Sequence, residues 1–146
     1  LSLGGCVASI IAGLRKEDVA ALSMWCPAPD VVYNMRNKTI CGVEYPDVEE
    51  KGYMDFEGLK LNADFYYDAL QLDPYGIAAN YDRNVNIVHG DADITASCEC
   101  SVRYKEIFAE RANLLIVQGA DHRFKTLEYR STRIDSAVEF LTAELG

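Results

Sequence analysis

The pattern of apolar and polar positions predicts regular helices and strands in both the first and the last part of the chain. Residues 5–14 are apolar nearly all round, which predicts a buried helix, and small residues recur along it at Gly5, Ala8 and Ala12. Residues 19–26 form a short apolar run that prolines end. This run predicts a strand buried on both faces, as in a parallel sheet.

The same alternation resumes in the last third of the chain. Strands are predicted over residues 85–89 and 114–117, and a helix between them over residues 101–112. A closing helix is expected over residues 134–145. Its apolar face is predicted to comprise Ile134, Ala137, Val138, Leu141 and Leu145. Strands that alternate with helices predict an α/β fold, in which helices cover both faces of a parallel sheet.

The middle of the chain breaks this pattern. Residues 30–83 have weak periodicity, apart from a predicted helix at 61–72, and they are rich in acids and aromatics. An irregular stretch of that length is unusual inside one compact domain. We therefore predict a core of residues 1–29 and 84–146, with an inserted cap over 30–83. Seven of the nine tyrosines fall in the cap: Tyr33, Tyr45, Tyr53, Tyr66, Tyr67, Tyr75 and Tyr81.

Charge narrows the classes of partner. Fourteen Lys and Arg against 23 Asp and Glu give the 146 residues a net charge of −9. Such a surface repels phosphate backbones and anionic lipid, so neither nucleic acid nor a membrane is expected as a partner. No apolar run approaches the roughly 20 residues of a membrane span. A small molecule is the expected partner, and a homodimer remains open.

The cysteines indicate a reducing compartment, and hence a cytoplasmic location, rather than a disulfide framework. Their number is odd, and Cys6 and Cys26 lie in apolar segments. Cys98 and Cys100 could form half of a metal site, but no second pair has zinc spacing, so no metal is predicted. No glycine-rich phosphate loop is present, so no cofactor is expected.

Three reactive side chains stand at the expected active edge of the sheet, the carboxyl ends of its strands. Ser2 precedes the first helix, Asp93 follows the strand that ends at His89, and His122 follows the strand at 114–117. Taken singly, each has a structural alternative: a helix N-cap, a turn acceptor and a loop histidine. Together, their order along the chain is that of a nucleophile, acid and base triad.

The surrounding residues resemble the motifs of α/β-hydrolases. Residues 2–5, Ser-Leu-Gly-Gly, resemble the second half of the nucleophile elbow. Residues 89–93, His-Gly-Asp-Ala-Asp, resemble the loop that bears the catalytic acid and favour Asp93 over Asp91. Residues 119–124 resemble the loop that bears the catalytic histidine. The resemblance implies the C-terminal half of this fold, with the cap inserted between its sixth and seventh strands, and it is nearest to the cinnamoyl and feruloyl esterases.

The resemblance implies a cofactor-free serine esterase that forms an acyl-enzyme on Ser2, with His122 as base and Asp93 as its partner. The backbone N–H of Leu3 is expected to be one oxyanion donor. The family's second donor and the strand leading into the elbow precede the first residue. We therefore expect residues 1–146 by themselves to hydrolyse esters poorly. In the cap, Tyr66 matches a family tyrosine that meets the substrate ring, while Asn34 and Cys41 occupy positions where relatives carry Asp and Gln.

Two alternatives remain open. The same triad serves monoacylglycerol lipases and acyl-peptidases, and the chain could also be a non-catalytic piece that keeps the fold. Haloalkane dehalogenases and epoxide hydrolases are disfavoured because they use an aspartate as nucleophile, where this chain has Ser2. Asp91 and Asp121 are expected to shape loops rather than to take part in chemistry.

Overall fold

A computed structural model describes all 146 residues and divides them into two compact units. The first unit comprises Leu1–Ala28 and Pro74–Gly146, and the second comprises Pro29–Asp73. The helices and strands, in chain order, are α1 (Leu3–Leu14), β1 (Leu22–Trp25), α2 (Asp30–Asn34), β2 (Thr39–Ile40), β3 (Val43–Glu44), α3 (Val48–Lys51), β4 (Tyr53–Phe56), β5 (Leu59–Asn62), α4 (Ala63–Gln71), α5 (Pro74–Ala78), β6 (Val85–Gly90), α6 (Cys98–Phe108), β7 (Ala112–Val117) and α7 (Leu127–Leu145).

The second unit is shorter than the cap predicted over residues 30–83. The ten residues after Asp73 lie in the first unit because α5 packs closely against α1. A Cβ on Gly13 would lie 2.0 Å from the backbone oxygen of Ile77, so only a glycine allows the two helices to approach this far. Within the second unit, β2 pairs with β3 and β4 pairs with β5, each antiparallel.

The first unit is built on a parallel sheet with strand order β1-β6-β7. All residues of β6 are buried, as expected for a central strand of a parallel sheet. β1 is shorter than predicted and alternates between buried and half-buried residues, so it is not buried equally on both faces. Because the strands are parallel, their carboxyl ends meet at one edge of the sheet.

A row of polar side chains crosses this sheet. Asn86 on β6 stands in register with Ser23 on β1 and Asn113 on β7. The Asn86 amide donates to Ser23 Oγ at 3.3 Å and to Ser136 Oγ of α7 at 3.2 Å, and Asn113 donates to Asn86 Oδ1 at 3.1 Å. These bonds satisfy an amide that is fully buried, which would otherwise destabilise the sheet.

Two helices depart from their predicted burial. We expected α1 to be buried on all sides, but only one face of the helix is buried. On the other side, Ile11 is 47% exposed. Along α7, Ala137 is the one fully buried residue, whereas Ile134 and Val138 are 45% and 57% exposed. Both helices approach their neighbours through small side chains, which leaves the larger apolar ones outside the contact. No helix is both long and apolar enough to cross a membrane.

Candidate active site

Ser2 lies at the carboxyl edge of the sheet, where its backbone is bonded on two sides. Its N–H donates to Trp25 O of β1 at 3.0 Å, and its carbonyl accepts from Ala28 N at 3.1 Å. The backbone adopts φ 57° and ψ −135°, a region that residues with a Cβ rarely occupy. Such strain is held in place only by surrounding bonds and is concentrated at functional sites.

The hydroxyl of Ser2 does not cap α1, although Ser2 occupies the N-cap position. The simple capping role that the sequence left open is therefore not adopted. The next residue, Leu3, begins the helix, and its backbone N–H donates to no acceptor within the chain. Unpaired N–H groups of this kind at a helix N-terminus favour negative charge.

Asp93 lies in the loop after β6, and its carboxylate is completely shielded from solvent. One oxygen accepts backbone N–H bonds from Thr95 at 2.8 Å and Ala96 at 2.9 Å. The other lies 2.6 Å from Nδ1 of His122. Burial raises the pKa of Asp93, but the bonds from Ala96, His122 and Thr95 outweigh that effect and hold the pKa below its ordinary value. The carboxylate is therefore charged at neutral pH.

His122 lies in the loop after β7 and is partly accessible, with 14% of its side chain exposed. Because a charged carboxylate can only accept, the proton of the neutral imidazole is placed on Nδ1, facing Asp93. Nε2 then carries a lone pair and can act as a base. No hydrogen bond joins His122 to the hydroxyl of Ser2. The structure thus brings Asp93 and His122 into direct contact and places Ser2 at the same edge of the sheet.

Two close contacts join the loop after β6, which carries Asp93 (the acid loop), to the loop after β7, which carries His122 (the histidine loop). Asp91 accepts a hydrogen bond from Gly119 N at 2.6 Å. Gly90, at the end of β6, approaches Ala120 so closely that a Cβ on Gly90 would meet the Ala120 carbonyl. Asp121 accepts from the backbone of Lys125 at 3.1 Å, within its own loop. The expected loop-shaping role of Asp91 and Asp121 is confirmed.

A layer of buried polar groups lies behind Asp93 and was not expected from the sequence. Nε2 of His89 lies 3.2 Å from the Asp93 carboxylate, and its Nδ1 lies 2.6 Å from Ser101 Oγ of α6. Cys26, just after β1, lies within hydrogen-bond reach of Asp93, and burial raises its pKa to about 12. The signal that could have found His89 is a histidine inside a strand predicted to be buried, where an imidazole needs partners.

Cys26, His89 and Asp93 are the one group in the structure whose chemistry could hold a metal. Their ligand atoms lie within 4.8 Å of one another. However, the thiol of Cys26 is protonated at neutral pH, and the Asp93 carboxylate already accepts bonds from two backbone N–H groups and His122. The three side chains satisfy one another, so the arrangement fits a hydrogen-bonded network better than a metal centre.

The substrate-binding residues predicted in the cap all fall in the second unit. Tyr66, on α4, is buried, with its ring 5.2 Å from that of Tyr67 and 5.9 Å from the ammonium of Lys38. Asn34 ends α2, and its carbonyl accepts a bond from the Thr39 hydroxyl at 3.2 Å. Cys41 lies exposed in the turn between β2 and β3.

Comparison with known proteins identifies the fold. Est1E from Butyrivibrio proteoclasticus, in its structure with ferulic acid bound, matches 99% of this chain with a TM-score of 0.86 and 21% identity. The superposed part includes the parallel sheet β1-β6-β7 and the helices that flank it. The chain has the α/β-hydrolase fold. The predicted fold class is confirmed.

Other α/β-hydrolases match as much of the chain with lower TM-scores. A monoacylglycerol lipase from Paleococcus ferrophilus matches 98% of the chain with a TM-score of 0.71 and 18% identity, and mouse alpha/beta hydrolase domain-containing protein 10 matches 99% with 0.72 and 20%. The chain spans 57%, 66% and 60% of these three proteins in turn. No protein-family model and no curated protein matches the chain in sequence.

Proposed function

We propose that the chain carries the catalytic residues of a serine esterase, with Ser2 as nucleophile, His122 as base and Asp93 as the acid that orients the base. The contact of 2.6 Å between His122 and the buried Asp93 carboxylate carries this proposal. It fixes which imidazole nitrogen holds the proton. The strained, non-capping Ser2 at the same edge supplies the third member.

The reaction follows from these positions. Ser2 Oγ adds to the ester carbonyl while its proton passes to Nε2 of His122, and Asp93 stabilises the resulting imidazolium. The Leu3 N–H is placed to donate to the developing oxyanion. The carbon–oxygen bond to the alcohol then breaks, and the alcohol takes the proton from His122. Water repeats the sequence and releases the acid from Ser2.

For the substrate, we propose an ester of a hydroxycinnamic acid. The support is the likeness to Est1E, whose structure contains ferulic acid, together with the tyrosine-rich second unit. Tyr66, Asn34 and Cys41 are the proposed contacts. Tyr66 is buried, whereas the adjacent Tyr67 is 44% exposed and presents the more accessible ring. A lipase acting on monoacylglycerols is the second candidate, supported by the likeness to the Paleococcus ferrophilus lipase.

A fluorophosphonate probe tests the nucleophile directly. We expect one covalent adduct on Ser2, located by mass spectrometry, and none in Ser2→Ala. His122→Gln should slow labelling strongly because it removes the base. Labelling is expected to be slow, because Leu3 alone is assigned as an oxyanion donor, so the absence of any adduct after prolonged incubation at high probe concentration would contradict Ser2 as the nucleophile and favour a non-catalytic role.

A panel of substrates tests the acyl group. Methyl ferulate, a monoacylglycerol and a short p-nitrophenyl ester would be compared at equal concentration. We expect methyl ferulate to be preferred over the monoacylglycerol. Turnover by residues 1–146 is expected to be slow, because Leu3 alone is assigned as an oxyanion donor and each such donor contributes about 10²–10³ in turnover. Rapid Ser2-dependent turnover would contradict that expectation.

A further inference from the structure

We propose that His89 and Ser101 form a buried relay that positions the Asp93 carboxylate against His122. The two residues do not touch the reacting atoms, so they are positioning residues rather than catalytic ones. A role for this relay in catalysis rests on the proposed function. The contacts that define the relay all lie within the first unit and do not depend on that function.

The protonation state of His89 follows from its neighbours. Nε2 faces two acceptors, the carbonyl oxygen of Ala96 at 3.2 Å and the Asp93 carboxylate at 3.2 Å. A ring nitrogen between two acceptors must carry the hydrogen. Burial lowers the pKa of His89, so the ring is neutral and Nδ1 is an acceptor. The Ser101 hydroxyl, 2.6 Å away, therefore donates to Nδ1.

This chain of donors has one direction. Ser101 donates to Nδ1 of His89, and the Nε2–H of His89 lies between its acceptor Ala96 O and the Asp93 carboxylate 3.2 Å away. Asp93 accepts from His122 through the same oxygen that faces His89. Ser101 and His89 are both completely buried, so neither can exchange its partner for water. The carboxylate is held by donors of the buried protein interior, a preorganised arrangement of the kind that stabilises charge in an active site.

The titratable groups around His89 are those of this cluster, with the thiol of Cys98 on α6 next to it, where burial raises the pKa of that thiol. Asp93 faces it from the acid loop and Cys26 from the end of β1, with His122 beyond the carboxylate. Cys26 is a neutral thiol, because burial raises its pKa to about 12. The one charge beside His89 at neutral pH is therefore that of Asp93. Removal of the Nε2 donor should raise the pKa of Asp93 towards its ordinary value.

A matched pair of variants separates positioning from packing. In His89→Gln, the side-chain nitrogen can occupy the place of Nε2 and still donate to Asp93. In His89→Asn, the amide is shorter and reaches only the place of Nδ1. Both variants are polar and neutral, so the main difference between them is the donor to the carboxylate. Each also leaves His122 as the chain's single histidine, which makes its NMR signals unambiguous.

The readout is the ¹³C chemical shift of the Asp93 side-chain carboxyl, followed as the pH is lowered until the carboxylate is protonated, with the His122 ring signals recorded alongside to separate protonation of the imidazole. We expect His89→Asn to raise the midpoint of this change by about one pH unit, a tenfold change in ionisation constant. His89→Gln should stay near wild type. Ser101→Ala should shift the midpoint in the same direction as His89→Asn, by less.

Equal midpoints in all proteins would overturn the relay. Equal shifts in His89→Asn and His89→Gln would also overturn it, because they would assign His89 a packing role only. The measurement needs no hydrolysis, so it is independent of the proposed esterase. Failure of Ser2 to react with a fluorophosphonate would overturn the proposed function while the NMR comparison still decides the relay.

Discussion

Gly90 and Ala120 stand so close that a Cβ on Gly90 would lie 2.1 Å from the Ala120 carbonyl oxygen. Gly90 ends β6 and precedes the acid loop, while Ala120 lies two residues before His122. The absence of a side chain at Gly90 is therefore what allows the acid loop and the histidine loop to lie side by side. The contact between Asp93 and His122 depends on this approach.

Gly90→Ala should accordingly destabilise the fold and separate the two loops. We expect a loss of about 1–3 kcal/mol, the usual range for an overpacked site, in urea unfolding. Gly4→Ala is the matched control, because a Cβ there meets nothing within 4 Å. It lies in α1 and should stabilise by up to about 1 kcal/mol through helix propensity. Equal effects of the two substitutions would contradict this explanation.

Ser2→Gly should stabilise the fold relative to Ser2→Ala. Both substitutions remove the hydroxyl, but only glycine adopts φ 57° without strain. The strain at such a position is of order 1–3 kcal/mol, and we expect at least about 1 kcal/mol of it to appear in chemical denaturation. Equal stability of the two variants would mean that the backbone at Ser2 is not strained.

Asp93→Asn should strongly slow the reaction of Ser2 with a fluorophosphonate. The amide can donate to His122 and so favours the wrong tautomer, an effect of about 10⁴ in a comparable triad. Asp91→Asn is the control, since an amide oxygen can still accept the bond from Gly119. We expect less than a threefold change there, measured as the labelling rate. Similar losses in both variants would undermine the assignment of Asp93.

The free energy of unfolding should decrease at low pH, because the Asp93 carboxylate becomes protonated. The pKa of its folded carboxyl is lowered, so its contribution is fully present above the ordinary unfolded value of about 3.9 and is lost as the pH falls through the folded pKa. The difference in unfolding free energy between wild type and Asp93→Asn should therefore shrink as the pH falls below about 4. A difference that grows in acid would contradict this sign.

Cysteine modification should distinguish the buried site from the surface. Burial raises the pKa of Cys26 to about 12, so its thiol is neutral and shielded at pH 8, whereas Cys41 is exposed. Iodoacetamide should modify Cys41 in the folded chain and reach Cys26 only after denaturation, as read by peptide mass spectrometry. Cys41→Ser should remove the fastest phase. Modification of Cys26 at the rate of Cys41 would contradict its burial.

The meeting of Ser2, Asp93 and His122 at one edge of the sheet was predictable because few features determine it. Strand ends, turn residues and the order of Ser2, Asp93 and His122 are all local in the sequence, and parallel strands bring their ends together. Asp93 was separable from Asp91 only by resemblance, and the structure gives the physical difference: Asp91 bonds to the Gly119 backbone, whereas Asp93 bonds to a side chain.

Features that depend on packing were not predictable. The periodicity predicts that His89 lies in a strand, because periodicity reports burial. It cannot predict the hydrogen-bond partner that α6 supplies to His89. The short α5 has too few residues to show a period, so residues 74–83 were placed in the cap. The apolar positions of α7 predicted a buried face, yet the sheet meets this helix through Ser136 and Ala137.

The polar row across the sheet has a consequence for folding. Ser23, Asn86 and Asn113 stand level on three neighbouring strands, and each can find its partner only in that alignment. If β1 or β7 slid by a single residue against β6, Asn86 would lose its partner on that strand and stand level with an aliphatic residue instead. Misaligned sheets are thereby disfavoured, and the native register keeps the ends of β6 and β7 side by side.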